Sequence, residues 1–294
     1  MRKGAGGLAP VKTDNPEGFV KIQSTGNAGS SPRCLSSGGT AVHRFFVNPS
    51  DISSCGVEIT GDDVAHISKV LRLRCGDKIS VCDQNGFDYV CTVSEVGKER
   101  VFARVDEKLP SISESRVSVT LYQGLPKGDK MELIIQKCTE LGVKKFVPVV
   151  MQRSVSRPKD TSKKTARYRK IALEAAKQSK RSAVPDVCDA TDFESVLDKI
   201  KDGDALNILP YENEKSTTLK EVLRKNCDAK NINLIIGPEG GFSDEEIADA
   251  LAQNIQTVTL GPRILRCETA PIAAVAAIMY ELGDCLDSPL EERK

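Results

Sequence analysis

The chain has 294 residues, of which 39% are apolar and 28% charged, and its formal net charge is +1. That length and balance exclude a peptide and a disordered polymer, and they leave room for about two globular domains. Taken whole, the charge also argues against a uniformly basic nucleic-acid binder or an acidic tail protein. Counted by segment, the balance changes. Residues 144–181 hold thirteen Lys and Arg against Asp160 and Glu174, net +11, whereas residues 182–294 are net −11. Of the ten Cys, no two are spaced as C-x-x-C, and the only two His, His43 and His66, lie far apart. A structural zinc site needs paired ligands at short spacing, so no metal is expected. No secretory signal is visible, which with reduced Cys points to the cytoplasm. The longest apolar stretch, 270–280, is too short to span a membrane.

In chain order, residues 1–42 come first, with eight Gly, five Ser and no sustained periodicity. They read as a disordered or non-native extension; the alternatives are a transit peptide and a mis-set start at Val42. Residues 43–113 read as a small β-barrel. Strands are expected at 44–47, 78–82, 89–96 and 101–105, with one short helix over 62–71 and a hairpin at Asn85-Gly86. A linker follows at 110–115. Over 114–294 the pattern changes to strands alternating with helices. Strands are expected at 117–123, 146–151, 205–209, 232–236 and 257–260. Helices are expected at 129–141, 164–178, 192–200, 218–224, 243–253 and 269–282. Ser243 and Glu246 form a capping-box pair at the start of one of them. Such alternation implies a parallel sheet with helices on both faces, which binds ligands beyond the carboxyl ends of its strands.

Three loops fall at those ends: Leu209-Pro210-Tyr211-Glu212, Gly237-Pro238-Glu239-Gly240-Gly241-Phe242-Ser243, and Gly261 to Thr269. Their glycines let a ligand approach bare backbone. The second loop is neither G-x-G-x-x-G nor a phosphate loop, and Glu239 would repel an anion, so a neutral or cationic ligand fits better. The basic block at 144–181 suits phosphate neutralisation, and with 4% aromatics and no Trp it favours shape recognition of structured RNA over base stacking.

Together these motifs resemble the RsmE-type methyltransferases of the SPOUT class, which methylate N3 of a uridine in small-subunit (16S) ribosomal RNA. The similarity runs from His43-Arg44-Phe45-Phe46-Val47 through His66, Val70-Leu71-Arg72 and Gly76-Asp77. It continues with 127–143 (KGDKMELIIQKCTELGV), Arg153-Ser154, and Glu174, Ala175, Gln178, Ser179 and Arg181. It is most specific at 234–243 (LIIGPEGGFS) and 260–270 (LGPRILRCETA).

The resemblance implies a C-terminal α/β sheet tied in a trefoil knot, preceded by a PUA-like β-barrel that helps hold RNA. It implies a homodimer and S-adenosylmethionine as cofactor. The cofactor would be held by Leu209, Pro210, Ile236, Gly237, Pro238, Glu239, Gly240, Gly241, Leu260, Gly261, Ile264, Leu265, Arg266 and Thr269. Contacts to the ribosomal RNA would come from Arg44, Arg72, Lys127, Lys130, Arg153, Gln178 and Arg181. Methyl transfer to the uridine N3 requires loss of its proton. Arg153, Arg181 or Arg266 would stabilise the anion, and Glu239 or Glu174 would accept the proton if burial raised its pKa. Two alternatives remain open: a SPOUT methyltransferase acting on another RNA position, and a non-catalytic RNA-binding ribosome-assembly factor.

Overall fold

The computed structural model describes residues 43–283 except 54, 156–161 and 202. The expected extension at 1–42, and Arg157, Lys159 and Asp160 of the basic block, lie outside the described residues.

The N-terminal sheet consists of His43–Phe46 (β1), Ile52–Ser53 (β2), Gly56–Thr60 (β3), Lys78–Cys82 (β4), Phe87–Val96 (β5) and Arg100–Pro110 (β6), in the order β1-β4-β5-β6-β3-β2. Alternate residues face one core: Ile79 and Val81, Cys91 and Val93, Val101 and Ala103 are all buried together. Phe45 of β1 and Val57 and Ile59 of β3 join the same cluster although three strands separate them in the sheet. The sheet must therefore curl, and register shifts in the β5–β6 ladder at Val90/Cys91 and Val93/Glu95 supply the extra twist. This is the small barrel expected, open between β1 and β2, which do not pair among the described residues. The hairpin at Asn85-Gly86 joins β4 to β5 as an antiparallel pair, and Asp83 organises it by accepting the amides of Asn85 (2.8 Å) and Phe87 (3.0 Å). The helix expected at 62–71 begins as Asp62–Ala65 (α1), then widens into a π-helical turn, His66–Leu71, that stops at Arg72 in the left-handed conformation (φ 54°). Strand β3 was not expected, because it offers only two apolar positions; its pairing with β6 stabilises it.

The second sheet is parallel throughout. Its strands are Ser118–Gly124 (β7), Lys145–Val150 (β8), Asp186–Val187 (β9), Thr191–Asp192 (β10), Leu206–Pro210 (β11), Asn231–Ile236 (β12) and Gln256–Val258 (β13), ordered β10-β8-β7-β12-β11-β13, with β9 also on β8. The helices are Lys130–Glu140 (α2), Ser162–Gln178 (α3), Phe193–Ile200 (α4), Leu219–Lys225 (α5), Asp244–Ala252 (α6) and Thr269–Glu281 (α7). Strand alternation separates two cores. Leu121, Phe146, Ile208 and Leu234 pack with α2, α3, α5 and α7 on one face. Tyr122, Val147, Leu209 and Ile235 pack with α4 and α6 on the other. Because all the strands run the same way, their carboxyl ends share one edge, and the loops that follow them meet there.

Candidate active site

At that edge the loops after β11, β12 and β13 enclose a cavity of about 530 Å³, a size suited to a small ligand. Every residue expected to hold a cofactor lines it except Leu209 and Thr269. Leu209 is fully buried in the second core, because its neighbour Ile208 takes the first. Thr269 sits at the start of α7, its amide on the Arg266 carbonyl (2.9 Å), and Ala270 lines the cavity instead. Ile264 is 90% exposed, so it forms rim rather than floor. Tyr211, Glu212, Phe242, Cys267 and Glu268 also line the cavity; they lie in the same loops, but nothing in their residue types marks them as ligand contacts. Lys130 enters from α2, far away in sequence, and only the fold brings it in.

Lys130 clamps two of the loops. Its Nζ lies 2.9 Å from Glu239 Oε1 and 3.5 Å from Glu268 Oε2, and the Lys127 amide donates to the same Glu239 oxygen at 3.0 Å. Burial pushes the Glu239 pKa up, but the Lys130 ammonium and the Lys127 amide outweigh it and bring the carboxyl down to about 2. The expectation that Glu239 accepts a proton is corrected on this ground, since a carboxylate held this acidic is a weak base. The Lys130 pKa is raised, chiefly by its bond to Glu239. Lys130, expected as an RNA contact, is thus committed to the clamp. The Cys267 thiol is pushed up to about 12 by burial, reinforced by its hydrogen bond to Glu268 (3.2 Å), and stays protonated.

The glycine-rich loop is seated against two neighbours. Gly124, the last residue of β7, abuts the Gly237-Pro238 corner so closely that a Cβ there would lie 2.6 Å from the Pro238 nitrogen. Arg153, exposed in the turn after β8, packs on Gly240 and donates from Nη1 to its carbonyl at 3.4 Å. The capping box holds the far end of the loop: the Ser243 amide donates to Glu246 Oε2 (2.9 Å) and the Glu246 amide to Ser243 Oγ (3.1 Å).

Of the residues expected to act in catalysis, the fold brings Arg266 into the cavity wall and sets Arg153, which does not line the cavity itself, against Gly240 of that wall. Glu174 lies exposed on α3 and does not line the cavity. Arg181 requires a correction. It is 3% exposed, with Nε and Nη2 on the two oxygens of Glu114 (3.2 and 2.6 Å) and Nη1 on the carbonyls of Thr139 (3.1 Å) and Val143 (2.7 Å). A buried guanidinium with four of its five N–H donors engaged in this way braces the protein and is not presented to RNA or to a reacting base.

The other expected RNA contacts divide. Arg44 is tied to Asp88 at 2.6 Å and is largely buried. Arg72, Lys127 and Gln178 are exposed. Within the basic block, Arg167 pairs with Glu132 (2.8 Å), and Lys177 with Asp63 of the N-terminal unit (2.7 Å). Lys163, Lys164 and Lys170 stand exposed on α3 without a partner among the described residues.

This fold and site define an RNA methyltransferase domain behind a PUA domain. A family model described as an RNA methyltransferase domain matches residues 113–279, and one described as an RNA methyltransferase PUA domain matches residues 59–106. The chain belongs to this RNA methyltransferase family. Among its relatives, ribosomal RNA small subunit methyltransferase E of Bacillus subtilis is 40% identical over 228 residues, covering 76% of this chain and 89% of the relative. The protein of the same name from Synechocystis is 34% identical, covering 80% and 77%. Among solved structures, the Neisseria gonorrhoeae ribosomal RNA small subunit methyltransferase E bound to S-adenosyl methionine aligns with a TM-score of 0.75 and 32% identity, over 84% of this chain and 100% of that one. A Legionella pneumophila putative methyltransferase in complex with the same cofactor aligns at 0.72 and 27%, over 83% and 100%. The parallel sheet flanked by helices, behind a PUA-like unit, is the SPOUT-type architecture implied by the motifs.

Proposed function

We propose that this protein is a cytoplasmic, homodimeric enzyme that transfers a methyl group from S-adenosylmethionine to N3 of one uridine in small-subunit ribosomal RNA. The observation that carries this reading is that the two most family-specific loops, 237–243 and 261–268, close on each other around one cavity. The residues present suit the cofactor. Bare backbone at Gly237, Gly240 and Gly261 offers amides and carbonyls, and Ile236, Leu260 and Leu265 supply an apolar wall. The Glu212 carboxylate lines the same cavity without an ion-pair partner among the described residues, a suitable counter-charge for a cationic ligand. It lies so close to the glycine-rich loop that a Cβ on Gly241 would meet it at 2.8 Å.

The bound cofactor supplies an electrophilic methyl group for an in-line displacement, so the protein's task is mainly to position two reactants. In this reading Arg153 and Arg266 favour the N3 anion of the uridine by their charge. Lys130 fixes the two loops relative to each other. Residues 43–113 grip the RNA and residues 114–294 carry the transfer. Arg72, Lys127, Gln178 and the free lysines of α3 meet phosphates. The partly exposed Leu133 of α2 and Tyr280 of α7, on helices that pack together, suit a subunit interface.

The test is transfer of labelled methyl to small ribosomal subunits that lack the modification, with mass mapping of the product. N3-methyluridine is expected. A label at another position would favour the related-methyltransferase reading, and RNA binding without cofactor binding would favour the non-catalytic one. Sedimentation velocity tests the dimer.

A further inference from the structure

Glu246 lies in the first turn of α6, outside the cavity, and is 8% exposed. A capping box uses one carboxylate oxygen, here Oε2 on the Ser243 amide. The second oxygen, Oε1, accepts the Gln152 amide at 2.8 Å, from a turn after a different strand. That turn is closed on itself: the Met151 amide donates to Ser154 Oγ and the Ser154 amide to the Met151 carbonyl, both at 3.0 Å. Arg153 is the next residue. It leans on Gly240 so closely that a Cβ there would stand 3.0 Å from its own. One buried carboxylate therefore holds both pieces that seat Arg153: the turn that carries it and the end of the glycine-rich loop that receives it.

We infer that Glu246 is a positioning residue that acts through Arg153, setting the turn at 151–154 against the glycine-rich loop so that the guanidinium stands against Gly240 of the cavity wall. The inference rests on the reading of Arg153 given above. It needs a carboxylate, because two amide donors require two acceptor oxygens, and a glutamine would turn its own N–H₂ toward one of them. An unmet buried amide and a displaced cationic group both penalise the reaction more than they penalise cofactor binding.

The test compares Glu246→Gln in the wild-type and the Arg153→Met backgrounds of the full chain. Two readouts apply: amide exchange by mass spectrometry at 151–154 and 238–243, and the constants for methyl transfer. Because glutamine keeps one acceptor oxygen, faster exchange is expected in at least one of the two segments. In the wild-type background kcat should fall about tenfold with cofactor affinity within about twofold, and in the Arg153→Met background the substitution should have no further effect on kcat. An equal fall in both backgrounds, or unchanged exchange in both segments, overturns the proposal. If wild-type protein transfers no methyl group, the functional reading fails, while the exchange data still judge the coupling. If Glu246→Gln does not fold, Glu246→Asp replaces it, since it keeps the charge at the start of α6 but is one methylene too short to serve both amides. Faster exchange in at least one of the two segments, with kcat lowered only in the wild-type background, is then the expected result, and unchanged exchange in both segments overturns the proposal.

Discussion

Gly124→Ala isolates the close approach that seats the glycine-rich loop. Gly124 is not among the positive-φ glycines, so its backbone suits alanine and the effect of the change is steric. The added Cβ would lie 2.6 Å from the Pro238 nitrogen, 2.7 Å from Pro238 Cδ and 2.9 Å from the Gly237 carbonyl carbon. Comfortable carbon contacts need roughly 3.5–4.0 Å, so the two strands' ends must separate by about 1 Å. The neighbours cannot swing aside, since two of the three contacts are main chain and the third belongs to a proline ring. They are held by the β7–β12 ladder through Gln123 and Ile236, and by the Leu125 amide on the Val149 carbonyl at 2.9 Å. Overpacking of this kind costs about 1–3 kcal/mol. Taking about 2 kcal/mol, the melting temperature should fall by roughly 4–8 °C for a chain of this size. The displaced Gly237 and Pro238 line the cavity, so cofactor affinity should fall as well. Urea unfolding and titration calorimetry measure the two effects. Gly203→Ala is the control: its φ is not positive, it lies outside the cavity, and the added Cβ would meet only the Ile200 carbonyl oxygen at an ordinary 3.6 Å. A Gly124→Ala protein within about 0.5 kcal/mol of wild type, the size of an ordinary surface substitution, and with unchanged cofactor affinity would refute the steric argument.

Arg181→Ala leaves the Glu114 carboxylate without its cation, though still bonded to the Ser182 and Ala183 amides, and leaves the Val143 carbonyl without a donor, while the Thr139 carbonyl keeps the Gly142 amide. Breaking a buried pair on one side costs about 3–5 kcal/mol, and because Glu114 is partly solvated the low end is expected in urea unfolding. The clamp has a pH signature. The Glu239 carboxyl titrates at about 2 in the folded protein against 4.5 ordinarily, so its contribution is complete above pH 4.5 and is lost as pH falls toward 2. Lys130→Met should lower stability at neutral pH and flatten that acid limb in thermal melts, and an unchanged limb would reject the pairing. Replacing Lys163, Lys164 and Lys170 by Gln should weaken RNA binding and reduce the slope of log affinity against log salt by roughly 0.7–0.9 for each phosphate no longer neutralised. An unchanged slope would remove the helix from the interface.

Local features of the chain announced themselves because their causes are local. The Asn85-Gly86 hairpin, the Ser243–Glu246 cap and the strand–helix alternation follow from turn chemistry, side-chain reach and hydrophobic period. The cavity loops were legible for a related reason: once the sheet is parallel, every loop after a strand opens on the same edge. Strand β3 was not legible, since its partner is some forty residues downstream and two apolar positions carry too little periodic signal.

The sequence by itself determined the two kinds of sheet, the loops that enclose the ligand site and the chain's resemblance to its family. Only the tertiary structure decided which charges are free. Arg181 and Lys130 look alike in the sequence to Lys163 or Lys170, yet the first is buried on Glu114, the second is clamped between Glu239 and Glu268, and the others face solvent. Burial and partners set a charged group's availability, and both come from residues distant in the chain. Among the described residues the +11 block is therefore not a single surface: Arg167, Lys177 and Arg181 are tied to carboxylates, whereas Lys163, Lys164 and Lys170 on α3, with Lys144, Lys145 and Lys180 beyond it, are exposed and left free to meet an anion.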